Sequence, residues 1–224
     1  VTTTVSGSLG GDAIFKISGD YIIIDGSNNG TNSRNMTITN TGANRCVNIG
    51  GADQANSSDN VTIRNCIMAS ISGANYNVTM LSTNLTSAGY FNNITIQNNI
   101  IQRSIIGIYI LAATGPFQNG TTINILNNDL ASTGTDAIKN TGISVSGLSF
   151  GCTVQDNTIG NITSTSTSPA KGILVSTACS TVVIKNNTIV NMAYTGTGSA
   201  SPAGIDINSP GGNNILVEGN TVSG

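Results

Sequence analysis

The chain has 224 residues, a net charge of −2 and a charged fraction of only 8%, and it contains no histidine and no tryptophan. Its eight basic residues are spread along the chain and provide no patch that could neutralise phosphates, so nucleic acid is excluded as the expected partner. The apolar runs stay far below the roughly 20 residues of a transmembrane helix, so we expect no membrane insertion.

Two strand patterns alternate along the chain. Residues 1–20 are expected to form a first coil or an N-terminal lead-in, and the repeats are expected to span residues 21–224. The first pattern is apolar-x-apolar-x-Asn-Asn, which recurs at intervals of 25, 33, 29, 29, 30 and 33 residues. It begins at Met36, Val61, Ile94, Ile123, Cys152, Val182 and Ile215.

The second pattern is a short strand that is often introduced by glycine. Alternate residues in it are apolar, as expected for a strand with one buried face, and a less regular segment is expected to close each turn. It begins at Tyr21, Cys46, Asn77, Gly107, Gly142, Gly172 and Gly204.

These patterns predict a stack of similar coils. No segment shows the sustained 3.6-residue periodicity that a helical repeat needs. A repeat of two short strands cannot bury its apolar face alone, whereas stacked coils cover one another. The sequence therefore predicts a single all-β domain, a parallel β-solenoid of about seven coils of roughly 30 residues.

The asparagine pairs are predicted to form the turns between strands, because asparagine tolerates the left-handed backbone conformation. Stacked coils would place the second asparagine of each pair about 4.8 Å from the next, close enough for their amides to form a hydrogen-bonded ladder. Cys66 and Thr41 replace the asparagine in earlier coils, so the ladder is predicted to begin in the fourth coil. Its members would be Asn99, Asn128, Asn157, Asn187 and Asn220.

The repeat, apolar-x-apolar-x-Asn-Asn-x-Ile followed by Gly-Ile-x-Val, resembles the right-handed parallel β-helix superfamily. That superfamily includes pectate lyases, other polysaccharide-acting enzymes, phage tailspikes and bacterial surface proteins. The resemblance covers roughly residues 20–224 and implies right-handed coiling. The segment YIIIDGSNNGTNSRNMTITN also resembles β-helix stretches of large secreted surface proteins of Bacteroidota-type bacteria.

The resemblance implies two catalytic arrangements for comparison with the sequence. Pectate-lyase-like enzymes hold Ca²⁺ with carboxylates on adjacent coils and use Arg or Lys as the base, and polygalacturonase-like members use clustered Asp residues and a His. The predicted stacking, which places Thr37 beside Thr62, Thr39 beside Arg64 and Ile23 beside Asn48, brings no two carboxylates onto neighbouring coils. The chain also has no histidine. We therefore predict no catalytic residues, no metal site and no cofactor, with Ca²⁺ possible but unsupported.

Four surface residues are weak candidates. Lys185 and Glu218 are predicted to share a column on adjacent coils, as an acid/base pair or, in the favoured interpretation, as a surface ion pair. Asp156 stands where asparagine recurs, so it could bind a metal with Asp129, although a turn cap is favoured. Tyr109 is the one aromatic residue of the predicted outward columns.

Two loop regions offer further alternatives. Asp53 and Asp59 could form a Ca²⁺-binding loop, but the favoured interpretation is a solvated loop. Aromatic residues near loops could line a sugar groove or, as favoured, pack against the solenoid: Tyr76, Tyr90, Phe91 and Phe117.

The four cysteines show no metal-binding spacing. Cys152 is predicted to face the core. No two cysteines share a predicted column, so no disulfide is expected, although the loop lengths leave a pairing of Cys46 with Cys66 open.

The favoured function is a non-catalytic structural or adhesive segment of a large exported protein, acting as a spacer or display surface. The alternatives are a carbohydrate-binding module, or a polysaccharide lyase or hydrolase whose catalytic residues lie in loops or outside this segment. An exterior rich in Ser, Thr and Asn suits an extracellular or cell-surface location. Both ends look cut from a longer protein, so further coils or a partner chain are expected to cover them, because open sheet edges invite pairing.

Overall fold

The computed structural model describes residues 1–42, 44–71, 74–114, 119–148, 150–199, 201–210 and 214–224. This part of the chain contains strands and two short 3₁₀ helices, Gln54–Asn56 and Gly134–Asp136. The strands are β1 Thr3–Gly7, β2 Phe15–Ile17, β3 Ile23–Asp25, β4 Met36–Asn40, β5 Val47–Ile49, β6 Ser58–Arg64, β7 Cys66–Ser70, β8 Tyr76–Met80, β9 Phe91–Gln97, β10 Ile100–Gln102, β11 Ile106–Leu111, β12 Thr121–Leu126, β13 Asp129–Leu130, β14 Thr141–Ser146, β15 Phe150–Gln155, β16 Thr158–Ser164, β17 Lys171–Val175, β18 Val182–Lys185, β19 Thr188–Tyr194, β20 Ala203–Ile207, β21 Leu216–Glu218 and β22 Thr221–Ser223.

The strands form three parallel sheets that the chain visits in turn. Sheet A has the order β1-β4-β7-β10-β13-β16-β19-β22, sheet B the order β2-β5-β8-β11-β14-β17-β20, and sheet C the order β3-β6-β9-β12-β15-β18-β21. Each coil therefore contributes one strand to each sheet, and each strand pairs with its counterparts one coil before and one coil after. The prediction of an all-β, parallel β-solenoid of about seven turns is confirmed, with about 31 residues per turn.

The core lies between the three sheets and consists of inward residues stacked in columns. In sheet B one such column holds similar β-branched side chains that are fully buried: Val47, Val78, Ile108, Ile143 and Ile173. Stacking of like side chains lets each coil remove the apolar face of its neighbour from water, at roughly 25 cal/mol per Å² of apolar area. This explains why a repeat that could not fold alone is stable in a stack.

The first coil differs from the sequence prediction. The strand after Tyr21, grouped with the second pattern, is β3 and pairs with β6 in sheet C. The strand at Met36, grouped with the first pattern, is β4 and pairs with β1 and β7 in sheet A. Both assignments were wrong, because period-two alternation shows which residues face inward but is the same in all three sheets.

Three predicted neighbours change as a result. Thr37 lies beside Ile67 rather than Thr62, and Thr39 beside Ala69 rather than Arg64. The residue beside Asn48 in the first coil is Lys16, not Ile23. The segment predicted to be less regular is sheet A, the sheet with the most strands.

Left-handed backbone conformations recur in columns and explain much of the asparagine content. At the turn from sheet C to sheet A, the first residue of each pair has φ between 52° and 64°: Asn65, Asn98, Asn127, Asp156, Asn186 and Gly219. A second column stands at or just before the sheet C strands: Tyr21, Asn60, Asn93, Thr122, Gly151, Thr181 and Asn214. Asparagine adopts this region at low cost, so the predicted turn role is confirmed, and it belongs to the first residue of each pair.

Candidate functional site

The second residue of each asparagine pair points inward and forms a hydrogen-bonded ladder. Asn128 donates its backbone N–H (2.9 Å) and its Nδ2 (3.1 Å) to Oδ1 of Asn157. Asn157 donates in the same way to Asn187, at 3.0 and 2.9 Å, and its Nδ2 also donates to the carbonyl oxygen of Ile125 at 2.9 Å. The predicted ladder is confirmed over its full set: Asn99, Asn128, Asn157, Asn187 and Asn220.

The ladder begins where it was predicted to begin. Oδ1 of Asn99 accepts the backbone N–H of Cys66 at 2.9 Å, so the preceding coil supplies the main-chain donor of a rung without the side-chain amide. Thr41 does not belong to this column, because it follows β4 of sheet A. The side-chain oxygen at the first end of the ladder therefore has a partner within the chain. The ladder is a structural element rather than a ligand site.

An outer row of polar contacts runs along the same turn. Nδ2 of Asn98 donates to Oδ1 of Asn65 at 2.7 Å, and Nδ2 of Asn65 donates to Oδ1 of Asp25 at 2.7 Å. Arg34, from the segment between β3 and β4, donates to Oδ1 of Asn98 at 2.7 Å. These contacts border a polar cleft of about 540 Å³ lined by Asn32, Arg64, Asn65, Gln97, Asn98 and Asn127.

Asp25 is the acidic group of this row. Burial acts to raise the pKa of Asp25, but hydrogen bonds from Asn65, the backbone N–H of Ser27 and Arg64 outweigh it and lower the pKa below the usual 3.8. The Arg64 Nε lies 2.8 Å from the carboxylate. The residue register, with Asp25 beside Arg64, makes this an ion pair between adjacent coils.

The lowered pKa predicts a pH-dependent contribution to stability. A carboxyl group whose pKa is lower in the folded state stabilises that state above its unfolded pKa of about 4, and the contribution disappears as the pH falls through the folded value. We expect Asp25→Asn to be less stable than wild type at neutral pH by no more than about 1 kcal/mol, because the pair is partly exposed. Urea denaturation at several pH values should show this difference vanish in acid. A difference that is equally large at neutral and strongly acidic pH would contradict the assignment.

The outer face of sheet B carries the most distinctive group of side chains. The rings of Tyr76 and Tyr109 stack with centroids 4.8 Å apart and planes inclined by 21°. The guanidinium carbon of Arg45 lies 5.5 Å from the centroid of the Tyr76 ring, within the range of a cation–π contact. Burial is the main cause that raises the pKa of Tyr109, and the charge of the neighbouring Tyr76 is the second.

The tyrosine pair opens onto a cleft of about 520 Å³ along sheet B. Tyr109 lies in the predicted outward column between Thr79 and Ser144. Further along, the cleft is lined by hydroxyl and amide side chains, by apolar side chains and by the charged Lys171: Ile106, Leu111, Asn140, Thr141, Ser144, Ser146, Ser168, Lys171, Leu174, Ser176 and Thr177. We name this region the sheet B cleft.

Two charged groups near this cleft were missed in the sequence. Lys171 Nζ lies 2.6 Å from Asp206 Oδ2 across adjacent coils. Arg45 is 7% exposed, and its Nε has no hydrogen-bond partner. Each cation stands two residues before an inward residue of sheet B, Arg45 before Val47 and Lys171 before Ile173, as Tyr76 stands before Val78. The column prediction did not include this position.

The other predicted candidates occupy structural positions. Lys185 lies beside Glu218, with Nζ 3.3 Å from Oε2, and both side chains are partly exposed. Such a pair contributes about 0–1 kcal/mol. Asp156 stands at the left-handed turn position and accepts a hydrogen bond from Gln155, whereas Asp129 lies in sheet A. The two aspartates therefore do not share a column.

The acidic and aromatic loop candidates do not come together in one site either. Asp53 caps the 3₁₀ helix Gln54–Asn56, and Asp59 accepts from Asn92. Phe91 is fully buried in the core rather than in a loop, Tyr90 forms a bridge with Gly51, and Phe117 lies outside the described residues. Within the described ranges no group of three or more His, Cys, Asp or Glu side chains could hold a metal ion.

All four cysteines lie in the described part of the chain, and each is buried with a free thiol. Sγ of Cys46 donates to the carbonyl of Ile38 and Sγ of Cys66 to that of Arg64. Burial raises the pKa of both thiols to about 12. The pairing of Cys46 with Cys66 that the loop lengths left open is not formed.

Comparison with known proteins finds no family model, no curated protein and no solved structure that matches this chain. Among the described residues, no helix is long and apolar enough to cross a membrane. The molecule is defined by its architecture, a parallel β-solenoid with an internal asparagine ladder.

Proposed function

We propose that this chain is a non-catalytic structural or adhesive segment of a large exported cell-surface or extracellular protein, in which it acts as a spacer or display surface. The observation that carries the proposal is the unbroken register of the stack. One outward column of sheet A passes through every coil: Thr4, Thr37, Ile67, Ile100, Asp129, Thr158, Thr188 and Thr221. At about 4.8 Å per coil, this column spans about 34 Å.

The charge distribution supports the same proposal. Five of the ten acidic side chains lie in ion pairs with basic ones, including Asp25–Arg64, Lys171–Asp206 and Lys185–Glu218 between adjacent coils. Two carboxylates that share catalytic roles need free access to a substrate, whereas carboxylates engaged with neighbouring cations connect adjacent coils. The outer surface between these pairs consists largely of short polar side chains, which suit an exported protein.

A spacer should tolerate the removal of one whole coil. Deleting residues 129–157 removes 29 residues, the spacing between Asn128 and Asn157, and joins Asn128 to Thr158 so that the ladder continues to Asn187. We expect a folded protein in which spin labels at Thr4 and Thr221 lie about 4.8 Å closer together. Pulsed electron resonance measures this distance.

The matched control is a deletion of residues 129–156, which leaves one extra residue at the junction. A shift of one residue exchanges the inward and outward faces of a strand, so this variant should lose its cooperative unfolding transition. Unfolding transitions of equal cooperativity in the two deletion variants would contradict the proposal that the coils are interchangeable units of a spacer.

Enzymatic activity is the alternative that needs a separate measurement. Incubation with a panel of acidic polysaccharides, with and without Ca²⁺, should release no new chain ends above background. Turnover that disappears in Asp156→Ala or Lys185→Ala would overturn the proposal in favour of a polysaccharide lyase or hydrolase.

A carbohydrate-binding function is the second candidate, and the sheet B cleft is the observation that favours it. Stacked tyrosines present an apolar face to a sugar ring, while the adjacent hydroxyl and amide groups can bond its hydroxyls. The partly buried ion pair Lys171–Asp206 lies on the same face.

Glycan binding should depend on Tyr109. For any glycan that binds on an array, we expect Tyr109→Ala to weaken binding about tenfold, because the stacking platform contributes on the order of 1 kcal/mol beyond burial. Tyr21→Ala is the matched control, since Tyr21 is 81% exposed and lies beside sheet C. Affinity that is reduced equally by both substitutions would exclude the sheet B cleft.

A further inference from the structure

One turn from sheet C to sheet A is much longer than the turns that follow it. Between β3 and β4 it contains ten residues, 26–35, whereas Asn65 alone separates β6 from β7, and Asn98 and Asn99 separate β9 from β10. We name residues 26–35 the strap. One residue is enough to pass from sheet C to sheet A, so the length of the strap is not needed for the change of sheet. The extra length instead lets the strap reach past the neighbouring turn.

The strap contacts a turn two coils along the solenoid. Arg34 donates its Nε to the carbonyl oxygen of Asn98 at 2.8 Å and its Nη2 to Oδ1 of Asn98 at 2.7 Å. In the reverse direction, Nδ2 of Asn98 donates to the carbonyl oxygen of Asn32 at 2.8 Å. These partners are 64 and 66 residues apart, whereas the rungs of the asparagine ladder join residues 29 to 33 apart. The strap thus bypasses the turn at Asn65.

The bypassed turn and the strap form a ring of hydrogen bonds. Nδ2 of Asn98 also donates to Oδ1 of Asn65, and Nδ2 of Asn65 donates to Oδ1 of Asp25, the residue before the strap, each at 2.7 Å. Arg34 connects Asn98 back to the strap, and the covalent chain from Asp25 to Arg34 completes the ring. Three successive turns are therefore linked to one another directly.

The strap is held in shape by its own polar groups. Oδ1 of Asn29 accepts the hydroxyl groups of Thr31 at 2.6 Å and of Ser33 at 2.8 Å. At the base of the strap, the backbone N–H of Asn35 donates to the carbonyl oxygen of Gly26 at 3.0 Å. A loop that is preorganised in this way loses less conformational entropy when its end residues bind. The contacts of Arg34 with Asn98 therefore come from an ordered arm.

Such a ring should change how the solenoid opens. In a stack whose coils contact only their neighbours, stability is roughly a sum over neighbouring pairs, and one coil can open while the next stays closed. In the ring, opening any one of the three turns breaks hydrogen bonds that the other two turns hold. Hydrogen bonds from a guanidinium group are roughly twice as strong as neutral ones. The strap therefore couples turns that would otherwise open separately.

We infer that the strap is a clamp that makes β3, β6 and β9, the strands that lead into these three turns, open as one cooperative unit. The inference rests on the proposed structural role for its purpose, because a spacer keeps its length only while its coils stay closed. The contacts that carry the inference do not depend on that role.

A deletion of residues 26–34 removes the strap and keeps the register. It leaves one asparagine between Asp25 and Met36, whose partners in the next coil, Arg64 and Cys66, are likewise separated by one asparagine. The variant is therefore expected to fold with the short turn that its neighbouring coil already uses.

Native-state amide exchange at increasing urea concentration measures how each strand opens. In the wild type, we expect the amides of β3, β6 and β9 to share one dependence on urea. In the deletion variant, the three strands should separate, with exchange in β3 and β6 faster by about tenfold or more, because the charge-assisted bonds of Arg34 are lost. A wild type whose three strands exchange independently would overturn the inference. So would a deletion variant whose strands keep a common dependence.

Arg34→Ala tests the same contact without changing the chain length. Exchange in β3, β6 and β9 should become about tenfold faster. Arg34→Lys should not restore the wild-type rate, because an ammonium group lacks the rigid fork of donors that bonds both oxygens of Asn98. Arg103→Ala is the matched control, since Arg103 pairs with Asp136 of the adjacent coil and should leave these three strands unchanged.

Equal effects of Arg34→Ala and Arg103→Ala on the three strands would overturn the clamp, as would full rescue by Arg34→Lys. Turnover of a polysaccharide, in contrast, would overturn the proposed function and leave the exchange result intact.

Discussion

Replacing Asn157 with alanine should lower the free energy of unfolding by about 3–5 kcal/mol, since a buried group left without a partner costs about 1–3 kcal/mol. The substitution removes the acceptor for the backbone N–H and the Nδ2 of Asn128. It also leaves the carbonyl of Ile125 without its donor. These groups lie inside the solenoid, where water does not replace the lost amide.

Urea denaturation followed by circular dichroism measures the effect, with two asparagine-to-alanine controls. Asn124 lies in the outward column of the adjacent coil, beside Thr153, so Asn124→Ala should change stability by less than about 0.5 kcal/mol. Asn220→Ala removes the partially exposed last member of the ladder and should cost about 1 kcal/mol, because water can reach the groups it leaves. Similar losses for Asn157→Ala and Asn124→Ala would contradict a buried ladder.

The ladder could be predicted from the sequence because its cause is local and repeated. The spacing of 29 or 30 residues between Asn99, Asn128, Asn157 and Asn187 fixes both the register and the face on which the side chains lie. The same register predicted that Lys185 and Glu218 would be neighbours. A parallel stack converts a sequence interval directly into a spatial contact, so such features need no knowledge of the loops.

The first coil and the sheet B cleft could not be predicted in this way. Residues 26–35 separate β3 from β4 and place Arg34 against Asn98, so the constant interval fails there. Tyr76 and Tyr109 meet diagonally, because Tyr76 lies beside Ile106 and Tyr109 beside Thr79. Contacts between different columns depend on the backbone geometry at the start of each sheet B strand, and the pattern of apolar residues does not encode that geometry.

The glycines at the second position of the later sheet B strands could be found in the sequence but explained only by the structure. Their recurrence was visible in the sequence, but alternation alone gives no reason for it. The structure provides the reason, since each glycine leaves room for the carbonyl group of the following coil. Close packing of the coils at this column is therefore a property that substitution can test directly.

Gly142→Ala should destabilise the protein by about 2 kcal/mol or more, since overpacking a closed site typically costs about 1–3 kcal/mol. A Cβ at this position would lie 2.7 Å from the carbonyl oxygen of Gly172 and 2.5 Å from Cγ2 of Ile159. Coils on both sides hold Gly142 in place, so the clash can be relieved only by separating strands β14 and β17. Thermal denaturation and amide exchange at these two strands measure the result.

The matched control is Gly11→Ala, where an added Cβ meets nothing within 4 Å. Alanine restricts the unfolded chain, so this substitution should stabilise the protein by about 0.4–1 kcal/mol. The two glycine-to-alanine changes are thus expected to have opposite signs, because the same methyl group enters open space in one case and a neighbouring coil in the other. A Gly142→Ala variant as stable as Gly11→Ala would show that the coils are spaced more widely at this column than the structure places them.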